Sequence, residues 1–259
     1  MRITLIGAGN LATRLGIELA RKGHQIVQVY SRTEEASKLL AEKVSTSFTN
    51  QIELINETSD LYILSVKDDA LVSLLSKIKT NDALWVHTAG SVPISVFEPF
   101  CKNFGVFYPL QTFSKSREVD FSEIPIYIES NSSESLETLR KLATSISKTA
   151  IEATSEQRKQ LHLAAVFACN FTNRMYSIAA KLLEEKGLDF AQLLPLIDET
   201  ARKVHELLPK EAQTGPAIRF DETIIGNHID ALRDGELKHI YYMLSENIFQ
   251  NKQSEQVNE

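Results

Sequence analysis

The stretch RITLIGAGNLATRLG, residues 2–16, restricts the possible fold more than any other part of the chain. A short apolar run leads directly into Gly7-Ala8-Gly9-Asn10-Leu11-Ala12, after which Leu11, Leu15, Leu19 and Ala20 recur at helical spacing as far as Gly23. This reads as strand, tight turn and helix. Gly7 permits the turn, Gly9 lets the backbone approach a pyrophosphate, and Ala12 allows the helix to pack closely on the strand. The free N–H groups of the helix, from Asn10 and Leu11 onward, then face the anion. A tight turn without a ligand would also use glycines, but the position at the head of a βαβ unit favours a dinucleotide.

The alternation of strand and helix patterns continues to about residue 113. Apolar runs at 2–7, 25–30, 44–48, 61–66, 83–88 and 105–110 are predicted strands of a parallel sheet. A further strand at 124–129 and a helix starting near Ser132 or Ser133 extend it. Everything after is helical: about 155–186, 189–208, a short piece after Pro216, and 221–250 with a break near Asp234-Gly235. The polar NKQSEQVNE end reads as a frayed tail. The expected fold is an α/β Rossmann-like parallel-sheet domain, residues 1–152, followed by an all-helical C-terminal domain, residues 153–259, for substrate binding and dimerisation.

A net charge of -6 with acids and bases interspersed offers no basic stripe, so nucleic acid is excluded as a partner. No apolar run reaches the roughly 20 residues of a spanning helix, and no separate signal segment precedes the first strand. The expectation is a cytoplasmic protein without membrane contact, acting on a small-molecule substrate. Its apolar helical region predicts a homodimer. Cys101 and Cys169 are far apart and belong to no metal-ligand pattern; both read as buried thiols.

The second predicted strand ends in Val29-Tyr30-Ser31-Arg32-Thr33, with no acid to bond a ribose 2′-hydroxyl. Ser31, Arg32 and Thr33 suit a 2′-phosphate, which favours NADP over NAD. Ser31-x-x-Glu34 also matches a helix capping box. The later strand ends bring Val66 and Lys67, then Thr88 within His87-Thr88-Ala89-Gly90-Ser91, then Tyr108-Pro109-Leu110-Gln111-Thr112, to the same crevice. Lys67 fits equally a cofactor contact and a solvated loop lysine. In QRKQLHLAAVFACNFTNRMY, regular helix geometry puts His162, Asn170 and Asn173 within roughly 100° of one another. His162 and Asn170 are the candidate catalytic pair, one moving a proton and the other orienting the reacting group. His162 alone would also suit a core position. Asn173 and Arg219 are candidate substrate contacts, although Arg219 with Asp221 is equally a local ion pair.

GAGNLA with SRT, VKDDAL, HTAGSVP, YPLQTFSK, HLAAVFACNFTNRMY and TGPAIRFD together resemble a bacterial family assigned as NADP oxidoreductases, with a Rossmann domain and a C-terminal domain of uncharacterised function. The resemblance covers nearly the whole chain. GAGNLA and VKDDAL are more distantly similar to pyrroline-5-carboxylate reductases. The layout is similar to the 6-phosphogluconate and 3-hydroxyisobutyrate dehydrogenase superfamily, and YPL sits where prephenate dehydrogenases carry His-Pro-Met. That superfamily's helix lysine, one turn before an asparagine, is missing: Val166 stands one turn before Asn170. The resemblance implies hydride transfer between NADP(H) and a small-molecule C=O or C–OH group. Imine reduction, as in pyrroline-5-carboxylate reductase, and non-catalytic NADP sensing are the alternatives.

Overall fold

The computed structural model describes residues 1–258, with side chains through Ser254. The chain divides into two compact units, Met1–Arg174 and Met175–Glu259. The first helix after the sheet therefore belongs to the sheet unit rather than to the helical one.

The first unit is built on an eight-stranded sheet of order β3-β2-β1-β4-β5-β6-β7-β8. Its strands are β1 (Arg2–Ile6), β2 (Gln25–Tyr30), β3 (Ser47–Thr49), β4 (Leu61–Leu64), β5 (Leu84–His87), β6 (Asn103–Pro109), β7 (Ile126–Ser130) and β8 (Ala150–Glu152). All neighbours are parallel except β6 and β7. The inner strands read as unbroken apolar runs because helices cover both faces of the sheet. Their residues alternate strictly: Leu61, Ile63, Leu84 and Val86 enter one core, while Tyr62, Leu64 and Trp85 enter the other. At roughly 1.5–3 kcal/mol for each large side chain buried, this two-sided packing sets the register. The short β8 was not predicted; at three residues it is too brief to show a period.

Helices α1 (Asn10–Arg21), α2 (Glu34–Lys43), α3 (Leu71–Leu75) and α4 (Ser133–Ile146) intervene between the strands. Beyond Lys22, α1 ends in a Schellman motif: Gly23 at φ 84° and His24 return their N–H groups to Ala20 and Leu19, each at 3.0 Å. Ser132 caps α4, its hydroxyl accepting from the Ser135 N–H. The Ser31-Glu34 box does not form; the residue preceding α2 is Thr33, without a side-chain cap bond. The Ser31 N–H is held instead by the Thr49 carbonyl at 3.2 Å, which keeps the chain extended past β2.

Chain order reverses at β1 and β4, the point where ligands bind in open parallel sheets. Gly7 donates to the Tyr30 carbonyl and Ser65 to that of Ile6, both at 2.8 Å, and Thr88 donates to Leu64 at 3.1 Å. These bonds hold the four outgoing loops level at one edge.

Next comes α5 (Ser155–Ala165), closed at its start by a reciprocal box between Thr154 and Gln157. It passes into a π-helical stretch, Val166–Phe171, and then α6 (Thr172–Glu184). Bonding i to i+5 changes the angular phase, so the regular-helix face predicted for His162, Asn170 and Asn173 does not carry across. Cys169, in this stretch, is exposed, contrary to its reading as a buried thiol.

The second unit continues with α7 (Leu194–Glu206), α8 (Pro209–Ala212), α9 (Glu222–Ala231) and α10 (Gly235–Asn258). Asp221 and Asp234 start the last two, accepting from the N–H groups of Ile224 at 3.1 Å and Glu236 at 2.8 Å. The break at Asp234-Gly235 is thus a cap. The backbone of α10 is helical through the polar stretch read as a tail, and Glu259 lies outside the described residues. Among the described residues, only Ala217 and Ile225 are buried hydrophobic side chains beyond residue 146. No helix among them is long and apolar enough to cross a membrane.

Candidate functional site

At the loop edge of the sheet unit lies a cavity of about 740 Å³. Gly7, Gly9, Asn10 and Leu11 line it from the β1 turn, and Ser31, Arg32 and Thr33 from the end of β2. Val66 and Lys67 enter after β4, Thr88 and Gly90 after β5, and His162 from α5. The cofactor residues expected from the sequence thus share one cavity with His162. Asn170 and Asn173 are exposed and do not line it. Arg219 is exposed in a one-turn 3₁₀ helix, Pro216–Arg219, of the second unit.

Two glycines of the turn work in different ways. Gly7 has φ 117°, and a Cβ there would stand 2.1 Å from the Ser65 carbonyl oxygen, so only glycine lets β1 and β4 close together. A Cβ on Gly9 would meet no protein atom within 4 Å. The space it would fill is the cavity. Gly9 also caps α1 without a side chain, and the first turn holds no acid, so the N–H groups there and the positive end of the helix are left for an anion. Arg32 follows on β2 with no carboxylate beside it in Ser31-Arg32-Thr33. This donor set fits a pyrophosphate and a 2′-phosphate, and hence NADP. Lys77, just after α3, also lines the cavity beside Leu74; its place could not be read from sequence because α3 is only five residues long.

At the other end of the cavity, the Tyr108 hydroxyl lies 3.0 Å from His162 Nδ1. Burial pushes this phenol up to about 12, partly opposed by the Arg158 charge. Gly90 is packed beneath the imidazole, and a Cβ there would come within 2.6 Å of the ring. Ser91 hydrogen-bonds Asp68 across the neighbouring loops.

The loop carrying Gly90 is fastened from below by Arg158, which is 1% exposed. Arg158 pairs with Glu129 of β7 and donates to the carbonyls of Ala89 and Val92 and to the Ser155 hydroxyl. Ser155 donates to Glu129 at 2.8 Å and accepts from the Ile94 N–H at 2.9 Å. The nearby His87 is pushed down to about 3, first by burial and then by the Arg158 charge. It is therefore neutral, with Nδ1 accepting from the Ala89 N–H at 3.2 Å. The Pro93 carbonyl only partly offsets this depression, and Nε2 has no full hydrogen bond among the described residues. In sequence, Arg158 is indistinguishable from a solvated helix cation beside Lys159.

Comparison with known proteins agrees with this geometry. Residues 2–89 match a family described as NADP oxidoreductase, coenzyme F420-dependent, and residues 124–248 match a domain of unknown function. No curated protein matches significantly. Among solved structures, an imine reductase of Myxococcus stipitatus in complex with NADP+ is 14% identical over 98% of this chain and 93% of its own, with a TM-score of 0.67. A 1-pyrroline-5-carboxylate reductase of Streptococcus pyogenes is 17% identical over 98% of each chain, with a TM-score of 0.64. Both share the fold. A Bacteroides fragilis protein whose solved structure is described as a "putative NADP oxidoreductase" is 55% identical over 96% of this chain and 98% of its own, with a TM-score of 0.93. At that identity over nearly its full length, the chain belongs to this family of NADP oxidoreductases.

Proposed function

We propose that the chain interconverts a small-molecule C=O and C–OH group, with NADP(H) lying from the Gly7 turn to the Tyr108–His162 pair. The observation that carries this reading is the single cavity joining an uncapped helix N-terminus and Arg32 to a hydrogen-bonded proton-carrying pair. When bound, the cofactor exchanges two electrons and a proton with the substrate carbon. Gly9 and the first turn of α1 hold the pyrophosphate, Arg32 and Thr33 the 2′-phosphate, and Val66, Lys67 and Thr88 border the path between them and His162. The proton path uses His162 and leaves out Asn170, Asn173 and Arg219. A protein that merely sensed the nucleotide would have no use for a hydrogen-bonded Tyr–His pair at the far end.

Replacing Arg32 by alanine is expected to weaken NADPH about ten- to a hundredfold and NADH little, since one charge-assisted partner is worth about 1.5–3 kcal/mol. Calorimetry on both cofactors checks this; equal losses would remove Arg32 from the 2′-phosphate site.

The reading includes a homodimer acting in the cytoplasm. Phe167, Phe171, Leu196, Val204 and Met243 are exposed, and a helical region this poor in buried side chains recovers little of its ordering entropy alone. A second copy supplies the same apolar surface in a closed, two-fold arrangement. Light scattering should give twice the chain mass at micromolar concentration; a monomer would reject the dimer. Two free cysteines suit a reducing compartment.

A further inference from the structure

We propose that the Tyr108 hydroxyl is the acid that protonates the substrate and that His162 is the positioning residue behind it. This rests on the reading that NADP(H) occupies the cavity.

Tyr108 sits at the end of β6, lines the cavity and is 8% exposed. Its oxygen and His162 Nδ1 are 3.0 Å apart, with the rings near edge-on at 71°. Gly90 lets the imidazole lie against the loop, and Arg158 ties down that loop at Ala89 and Val92. The loop beneath the imidazole is therefore fixed. One hydrogen bond joins the two groups, and only two tautomeric arrangements are open to it. If Nδ1 carries the ring proton and donates to the phenol oxygen, the O–H is left free to donate into the cavity. If Nδ1 is bare, the O–H is spent on the ring.

With its pKa pushed up to about 12, Tyr108 keeps its proton at neutral pH and surrenders it only to a strong base. A carbonyl becomes one: as two electrons and a proton from the reduced cofactor reach its carbon, the C=O π pair moves to oxygen, giving an alkoxide far more basic than a phenolate. The Tyr108 O–H bond breaks, its proton goes to that oxygen, and the alcohol forms. The phenolate then takes the Nδ1 proton of His162 as Nε2 takes one from solvent, so the ring stays neutral throughout and returns to its Nδ1–H tautomer by exchange with solvent.

The test uses the full chain. Titration with NADPH comes first, and failure to bind would defeat the cofactor reading rather than this one. Histidine nitrogen NMR of the NADP+ complex, at a pH where imidazole is neutral, with His162→Gln to assign the signal, should show Nδ1 protonated; a bare Nδ1 overturns the proposal. With NADPH and para-nitrobenzaldehyde as the probe, Tyr108→Phe should lower turnover by about 10²–10⁴-fold while NADPH affinity stays unchanged. An undiminished rate in Tyr108→Phe overturns the proposal. If the probe does not turn over, the tautomer decides.

Discussion

Gly9→Asp should fold like the unmodified chain and bind NADPH about 10³-fold more weakly. The backbone at Gly9, with φ −76°, is open to any residue, and a Cβ there touches nothing in the protein, so thermal melting should be nearly unmoved. The loss comes from the ligand side. A carboxylate placed about 4 Å from a pyrophosphate charge, at an effective dielectric constant near 20, repels it by about 4 kcal/mol. That is roughly three decades in affinity. Gly9→Ala separates volume from charge and should weaken binding less. If Gly9→Asp binds NADPH like the unmodified chain in calorimetry, the dinucleotide does not sit on this turn.

Arg158→Met is expected to have the largest effect on stability. It removes the cation from a buried pair and leaves Glu129, whose side chain is 18% exposed, without its partner, as well as the Ala89 and Val92 carbonyls. Breaking such a pair costs about 3–5 kcal/mol. The melting temperature should fall by roughly 10 °C, given about 2–4 °C per kcal/mol for a chain of this size. Adding Glu129→Gln should recover part of the loss, because the stranded charge is then gone. A single variant melting within about 1 °C of the unmodified chain would show that the pair does not secure the loop.

The parts of this architecture that local chemistry dictates were legible in the chain. GAGNLA encodes a strand end, a turn and a helix start within six residues, and the apolar strand runs declare a sheet covered on both faces. SRT was misleading as a capping box, because the bond from Ser31 to Thr49 on β3 decides the backbone there. Relations over long separations were not legible. Tyr108 and His162 are 54 residues apart, and Tyr108 read as a strand end at the crevice, without a partner, until the fold brought the imidazole to it. Arg158 has the same opacity: nothing in QRKQ marks which cation is buried. The π-helical stretch defeated the face drawn through Asn170, since a 3.6-residue period has no place for an extra residue.

The central claim is that this cavity holds NADP(H) through the Gly7 turn and Arg32. Its most direct test is calorimetric titration of the unmodified full chain with NADPH and, separately, NADH. NADPH should bind saturably and more tightly than NADH by about ten- to a hundredfold, the worth of one charge-assisted 2′-phosphate contact. Equal affinities for the two, or no binding of either, would contradict it.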